Sequence, residues 1–235
     1  ICFDCSCASS TIIFAFLLQY NSSNFTFKNV YNVPSNDLRS ISYFLQSEYD
    51  SFKNKIKFKL NFKTEVIFCS SLDDFINKTS TSSNIGAIYK NKKIFLQPIE
   101  ILKRKGILYN ILKHELIHLI FECVNNPNIP KWFNESYAIY FSGDLDRVRK
   151  KVKIKFDSLT DIESYLKSKK YDEVQTSYYY LGLVMQYLIT NYGEDRINAL
   201  LVDNNNYSFR DSFEKELGEK YDNVEQKIIE YLKKH

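Results

Sequence analysis

The chain has 235 residues, 44% hydrophobic and 26% charged, which are ordinary globular values that exclude a disordered, collagen-like or coiled-coil protein. Lys+Arg 32 against Asp+Glu 28 gives +4 with the signs interspersed, too mild a balance for a dedicated nucleic-acid binder. Six Gly leave little room for a Gly-rich phosphate loop, and with only three His the position of each is informative.

The first 27 residues carry one charge, Asp4, around the apolar run Thr11–Leu18. That run is far shorter than the ~20 residues needed to span a bilayer. It fits either a secretory-signal remnant or a buried first strand paired with Asn24–Lys28 across a polar turn, Gln19–Ser23. Membrane association is expected only through this segment, and an exported or membrane-associated protein is favoured over a cytoplasmic one. Five cysteines, with no Cys-x-x-Cys pair at zinc-ribbon spacing, argue against a structural zinc site and for free thiols, Cys69 and Cys123 lying far apart in the body.

Pro34 to Asp37 reads as a helix start, and Leu38, Ile41, Phe44, Leu45 and Tyr49 lie on one side of the helix that follows, to Phe52. Lys55–Phe62 alternates polar and apolar residues, a half-buried strand signal, and Thr64–Cys69 reads as a more central strand. Ser70 or Ser71 would cap a short helix through Ile76. A hairpin follows: Gly86–Tyr89, a polar turn Lys90–Lys93, then Ile94–Leu96. Ile107–Glu122 reads as one helix, Asn125–Pro130 as a loop, and Trp132–Phe141 as a second helix closed by Ser142-Gly143. The basic residues of Arg147–Lys155 are expected to be solvated. Thr160 and Glu163 suggest a capping box for a helix through Leu166, and Tyr178–Tyr192 a third apolar helix ended by Gly193. Ser212–Leu217 and Val224–Leu232 close the chain as amphipathic helices. Strands first and helices later is an α+β order, with a mixed sheet and a helix at the N-terminal side and a mainly helical C-terminal half. The organisation expected is an apolar N-terminal segment over 1–24 and a single domain over 25–235, strand-rich over 25–106 and helical over 107–235.

Two of the three histidines are His114 and His118, with Glu115 beside the first, in the run His-Glu-Leu-Ile-His. Residues i and i+4 share a helix face, so both imidazoles can reach one Zn2+ while Glu115 stands by to polarise a water. Asn110, His114, Glu115, His118 and Glu122 form a polar stripe on a helix otherwise apolar except at Lys113. Buried polar groups without partners are costly, so the stripe needs an occupant. Catalytic zinc usually takes three protein ligands and a water. The remaining histidine, His235, is at the C-terminus, Glu122 lies too far along the axis from His114, and Cys123 points off the metal face. Glu135, with apolar Trp132, Ala138 and Ile139 at helical spacing, is the better third ligand.

His114-Glu-Leu-Ile-His118 followed by Ile129-Pro-Lys-Trp-Phe-Asn-Glu-Ser-Tyr-Ala-Ile-Tyr140 resembles the gluzincin metallopeptidases, and most of all their compact peptidase-MA-like domains, relatives of the aminopeptidase N catalytic domain. The resemblance covers roughly Asn29 to the C-terminus. It implies a zincin, thermolysin-like fold. It implies one zinc ion held by His114, His118 and Glu135, Glu115 as general base, and a peptide or protein substrate. It further implies that Gly86, Ala87, Ile88 and Tyr89 form a substrate-binding edge strand. Tyr179, in Tyr179-Tyr-Leu-Gly182, would be the oxyanion donor, with Tyr178 and Tyr180 its alternatives in register. Ser136 stands where the family has Gly, Leu181 where it has Lys, and no acidic motif near Gly86 is present to capture a substrate amino terminus. The function expected is zinc-dependent peptide hydrolysis; a zinc-binding recognition domain without activity is the alternative.

Overall fold

The computed structural model describes residues 19–30, 33–56, 62–124, 126–202 and 207–235. The run Thr11–Leu18 and the middle of the strand expected over Lys55–Phe62 lie outside them. The architecture is α+β: a five-stranded mixed sheet with helices, then a mainly helical C-terminal half. The chain divides into two compact units, Ile1–Tyr49 with Asn61–Glu115, and Asp50–Leu60 with Leu116–His235. Among the described residues no helix is long and apolar enough to cross a membrane.

The first unit holds the sheet, in the order β1-β2-β3-β5-β4. β1 is Gln19–Asn21, β2 Phe25–Lys28, β3 Thr64–Phe68, β4 Ala87–Lys90 and β5 Lys93–Leu96. β2, β3 and β5 run parallel, and β1 and β4 pair antiparallel at the two edges. The register places Phe27, Val66 and Ile94 side by side on one face, all fully buried. Residues one step away fall on the opposite face. There Glu65 pairs with Lys93 at 2.7 Å and Lys28 at 3.8 Å. Gln19–Asn21, expected in a turn, forms strand instead, and the reversal is made at Ser22 to Asn24, where the Ser22 N–H donates to the Phe25 carbonyl.

Helix α1, Ser35–Ile56, buries Leu38, Ile41, Leu45, Tyr49, Phe52 and Ile56 along one stripe. Lys55 and Ile56 therefore end a helix and do not begin a strand. Ile56 falls four residues after Phe52, and the helical stripe takes it before the two-residue alternation can. Helix α2, Leu72–Thr79, is capped by the Ser71 hydroxyl, which accepts from the Asp74 N–H at 3.0 Å, and it ends three residues later than expected. The β4–β5 turn is reduced to Asn91 and Lys92, both with positive φ (52° and 60°), the tight reversal that suits strand twist. A short helix α3, Ile99–Arg104, follows, unannounced in the sequence pattern.

Helix α4 spans Leu108–Val124 and α5 spans Lys131–Ser142, where Gly143 in the left-handed region (φ 80°) closes it. In the second unit, Phe121, Phe133, Tyr137 and Phe209 form a ring cluster with centroids 5.2–6.4 Å apart. The Tyr137 hydroxyl, buried with them, donates to Asn198 Oδ1 at 2.8 Å.

Helix α6, Leu159–Ser164, starts two residues earlier than Thr160 suggested. Its capping box is Ser158 with Asp161. Glu163 instead accepts the Trp132 N–H at 2.8 Å, satisfying an amide at the start of α5. Helix α7 spans Tyr171–Tyr192, α8 Glu194–Val202, α9 Phe209–Leu217 and α10 Tyr221–Leu232. Helix α8 had no expectation, and α7, α9 and α10 each begin before their apolar period does. A first turn needs capping groups more than apolar ones: α7 opens on Tyr171-Asp172-Glu173, and Ser208 caps α9.

Helices α5 and α7 pack against each other at Gly182. A Cβ there would stand 2.6 Å from Leu145 Cδ1 and 3.0 Å from Ile139 Cγ2. They run parallel. Helix α6 binds the start of α5, through the Glu163 carboxylate to the Trp132 N–H, and α7 at Ser177, two turns into that helix, whose hydroxyl donates to the Ile162 carbonyl at 2.7 Å. Farther along α5, Tyr137 bonds to α8, which continues from α7 across Gly193.

Candidate metal centre

Helix α4 is apolar on most of its circumference. Leu112, Leu116, Ile117, Leu119 and Ile120 are all buried, with at most 2% exposure. His114 and His118 are half-buried one turn apart, and Glu115 is 8% exposed. Glu122, farther along the same stripe, is exposed. The stripe is thus inward-facing at His114–His118 and solvated at its end.

His118 and Glu115 are each oriented by a neighbour. In the second unit the Asn134 carbonyl oxygen accepts from His118 Nδ1 at 2.8 Å. The proton then sits on Nδ1 and the Nε2 lone pair is left for a ligand. His118 Nε2 lies 3.9 Å from Glu135 Oε2. Glu135 is one residue beyond Asn134 on α5, so one helical turn supplies both a possible ligand atom and the group that orients the His118 ring. The ligand atoms of His114, His118 and Glu135 lie within 4.8 Å of one another and could hold one metal ion. Ligand atoms around tetrahedral zinc stand a little over 3 Å apart at bond lengths of about 2.0–2.2 Å, close to the His118–Glu135 spacing.

In the first unit the Tyr89 N–H donates to Glu115 Oε2 at 2.6 Å. The hairpin register explains why that amide is available. Lys90 and Lys93 flank a two-residue turn, and Gly86 accepts from the Gln97 N–H at 2.9 Å. The pairs that exchange hydrogen bonds across β4–β5 are therefore those at 90, 88 and 86, while 89 and 87 direct their backbone groups away from β5. Of the four residues expected to form a substrate edge, Ala87, Ile88 and Tyr89 lie in the edge strand and Gly86 immediately precedes it. Gly86 has no room for a side chain: a Cβ would meet Ile111 at 3.0 Å and Leu102 at 3.1 Å.

The three tyrosines at 178–180 separate by face. Tyr180 is buried against Phe156, ring centroids 4.9 Å apart. Tyr179 lies 5.6 Å from the Tyr180 ring; burial first, and the nearby Tyr179 second, raise the Tyr231 hydroxyl pKa. Tyr178 is one turn before Gly182, on the α5-facing side, and Glu135 is one turn before Ile139. With α5 and α7 parallel, Tyr178 comes level with Glu135.

His235 contacts the Tyr231 carbonyl through Nδ1 at 3.0 Å and takes no part in the group. Among the described residues no disulfide joins Cys69 and Cys123, and burial pushes the Cys69 thiol up to about 11, leaving it protonated at neutral pH. Sequence reasoning missed Asn134 and the Tyr89 amide. Asn134 carried a signal, because ligating histidines usually donate their other ring nitrogen to an oxygen. The Tyr89 amide carried none, since any residue has one. No protein-family model matches the chain, and no curated protein matches it significantly.

Proposed function

We propose that the chain is a zinc-dependent peptidase of gluzincin type on a zincin-like fold, with His114, His118 and Glu135 as ligands. The observation that carries this reading is the convergence of two imidazoles and a carboxylate within 4.8 Å, with Glu115 adjacent in the same helix. Two nitrogens and one oxygen, without sulfur, suit a catalytic zinc that keeps a fourth position open. Zinc bound there would supply a polarised scissile carbonyl and a water acidic enough to ionise near neutral pH. Glu115 takes the water proton and delivers it to the leaving amine. Its Oε2 is anchored by Tyr89, which holds the carboxylate in one orientation. An extended peptide pairs with the outward N–H and C=O of Ala87 on β4, by strand addition. Tyr178 donates to the developing oxyanion. It suits this role better than Tyr179, whose ring lies beside Tyr180.

Glu115→Gln keeps the ligand set intact. It should retain one zinc per chain while peptide hydrolysis falls about 10²–10⁴-fold. Normal hydrolysis by that variant would overturn the mechanism. Stoichiometric zinc in the native chain, with no cleavage of a peptide library sensitive to chelator, would favour the recognition domain instead.

A further inference from the structure

The segment 147–155 holds six cations, Arg147, Arg149, Lys150, Lys151, Lys153 and Lys155, and no acid. Setting these six aside leaves 26 Lys and Arg against 28 Asp and Glu, so the positive charge of the chain resides in this one stretch. All six are exposed. The backbone beneath them is pinned: the Lys151 and Val152 N–H groups both donate to Thr176 Oγ1, at 3.0 and 3.1 Å. Ile154 and Phe156 are buried at 6% and 9% exposure, turning Lys153 and Lys155 outward. Among the described residues Lys151, Lys153 and Lys155 make no ion pair. Val152 and Tyr171, two exposed apolar side chains at 36% and 52%, line one shallow groove with Lys153, Lys170, Asp172 and Glu173, where Lys170 pairs with Glu173 at 2.9 Å. Lys169 next to it is also exposed.

We propose that this face docks the protein on an anionic lipid surface, independently of the metal centre. Exposed Tyr and aliphatic groups among lysines suit the headgroup boundary, where the ring tips and ammonium heads stay wet while their apolar parts are covered. A nucleic acid fits less well. The Phe156 and Tyr180 rings beside the cations are buried, so Tyr171 alone among the groove's lining residues offers a base a ring, and the remainder of the chain is net negative.

The test is flotation of the 235-residue chain with vesicles of phosphatidylcholine, with or without a third of phosphatidylserine, at low and physiological salt. Binding should require phosphatidylserine and weaken with salt. The combined variant Lys151→Gln, Lys153→Gln, Lys155→Gln should lower partitioning roughly a hundredfold, at about fivefold per cation. Val152→Ser with Tyr171→Ser should lower it with the salt dependence unchanged. Unaltered thermal melts would show that the variants fold. Absence of flotation, equal binding to neutral vesicles, or a lysine variant that floats like the parent would each overturn the proposal. So would tighter, lysine-dependent binding to duplex DNA or RNA than to vesicles.

Discussion

Helix α4 and the segment 147–155 both set polar side chains over a buried apolar base, and they differ in what each polar group meets. On α4 the groups are mostly withdrawn from water and individually held: Glu115 by the Tyr89 amide, His118 by Asn134 with Glu135 alongside. On 147–155 the cations are exposed, with Lys150 and Arg149 donating only to the backbone carbonyls of His235 and Val148, and their effect is a shared field. A desolvated polar group without its partner is expensive, whereas an exposed one is nearly neutral to remove. Substitutions on the first should therefore be specific and large, and on the second interchangeable and small.

The sharpest break is Glu135→Ala, which leaves two ligands. Metal content after dialysis should fall from one zinc per chain to none, and retention would remove Glu135 from the set. Next is the tyrosine pair. Tyr178→Phe should lower kcat about 10²–10³-fold with zinc retained, while Tyr179→Phe stays within about twofold. The reverse order would place the oxyanion donor on the other face of α7. Asn134→Ala, which touches no metal, should weaken zinc binding about 10–100-fold by freeing the His118 ring. A chelator titration reads it, and unchanged affinity would reduce that hydrogen bond to a local contact. Smallest is Lys153→Gln alone: about fivefold in vesicle partitioning, no change in hydrolysis, and the same result from Lys151→Gln.

Helix α4 was legible because its apolar residues are nearly continuous while His114, Glu115 and His118 interrupt them on one face. β3 was legible as a central strand from its short apolar run between turn signals. Helix starts were read less well. Tyr171 and Phe209 sit in polar first turns where no apolar period has begun, and Ser158 took the cap that Thr160 and Glu163 seemed to offer. Glu163 shows the cause. It looked like a partner for its own helix, and it caps α5, 31 residues away. The strand expected at Lys55 failed for a related reason: Ile56 satisfies both periodicities, and only its place in the α1 stripe decides between them.

By itself the sequence determined that a strand-rich half precedes a mainly helical one, and that His114, Glu115 and His118 share a face. These follow from the spacing of residues along one element, where period alone sets direction. Only the tertiary structure decided that Glu135 approaches His118, that Asn134 fixes its ring, and that Tyr89 offers its amide to Glu115. It also put Tyr178 on the α5-facing side of its helix and turned six cations of one stretch outward together. Those outcomes depend on how separate elements pack and pair, and on which backbone groups a sheet edge leaves over, and neither is written in a local period.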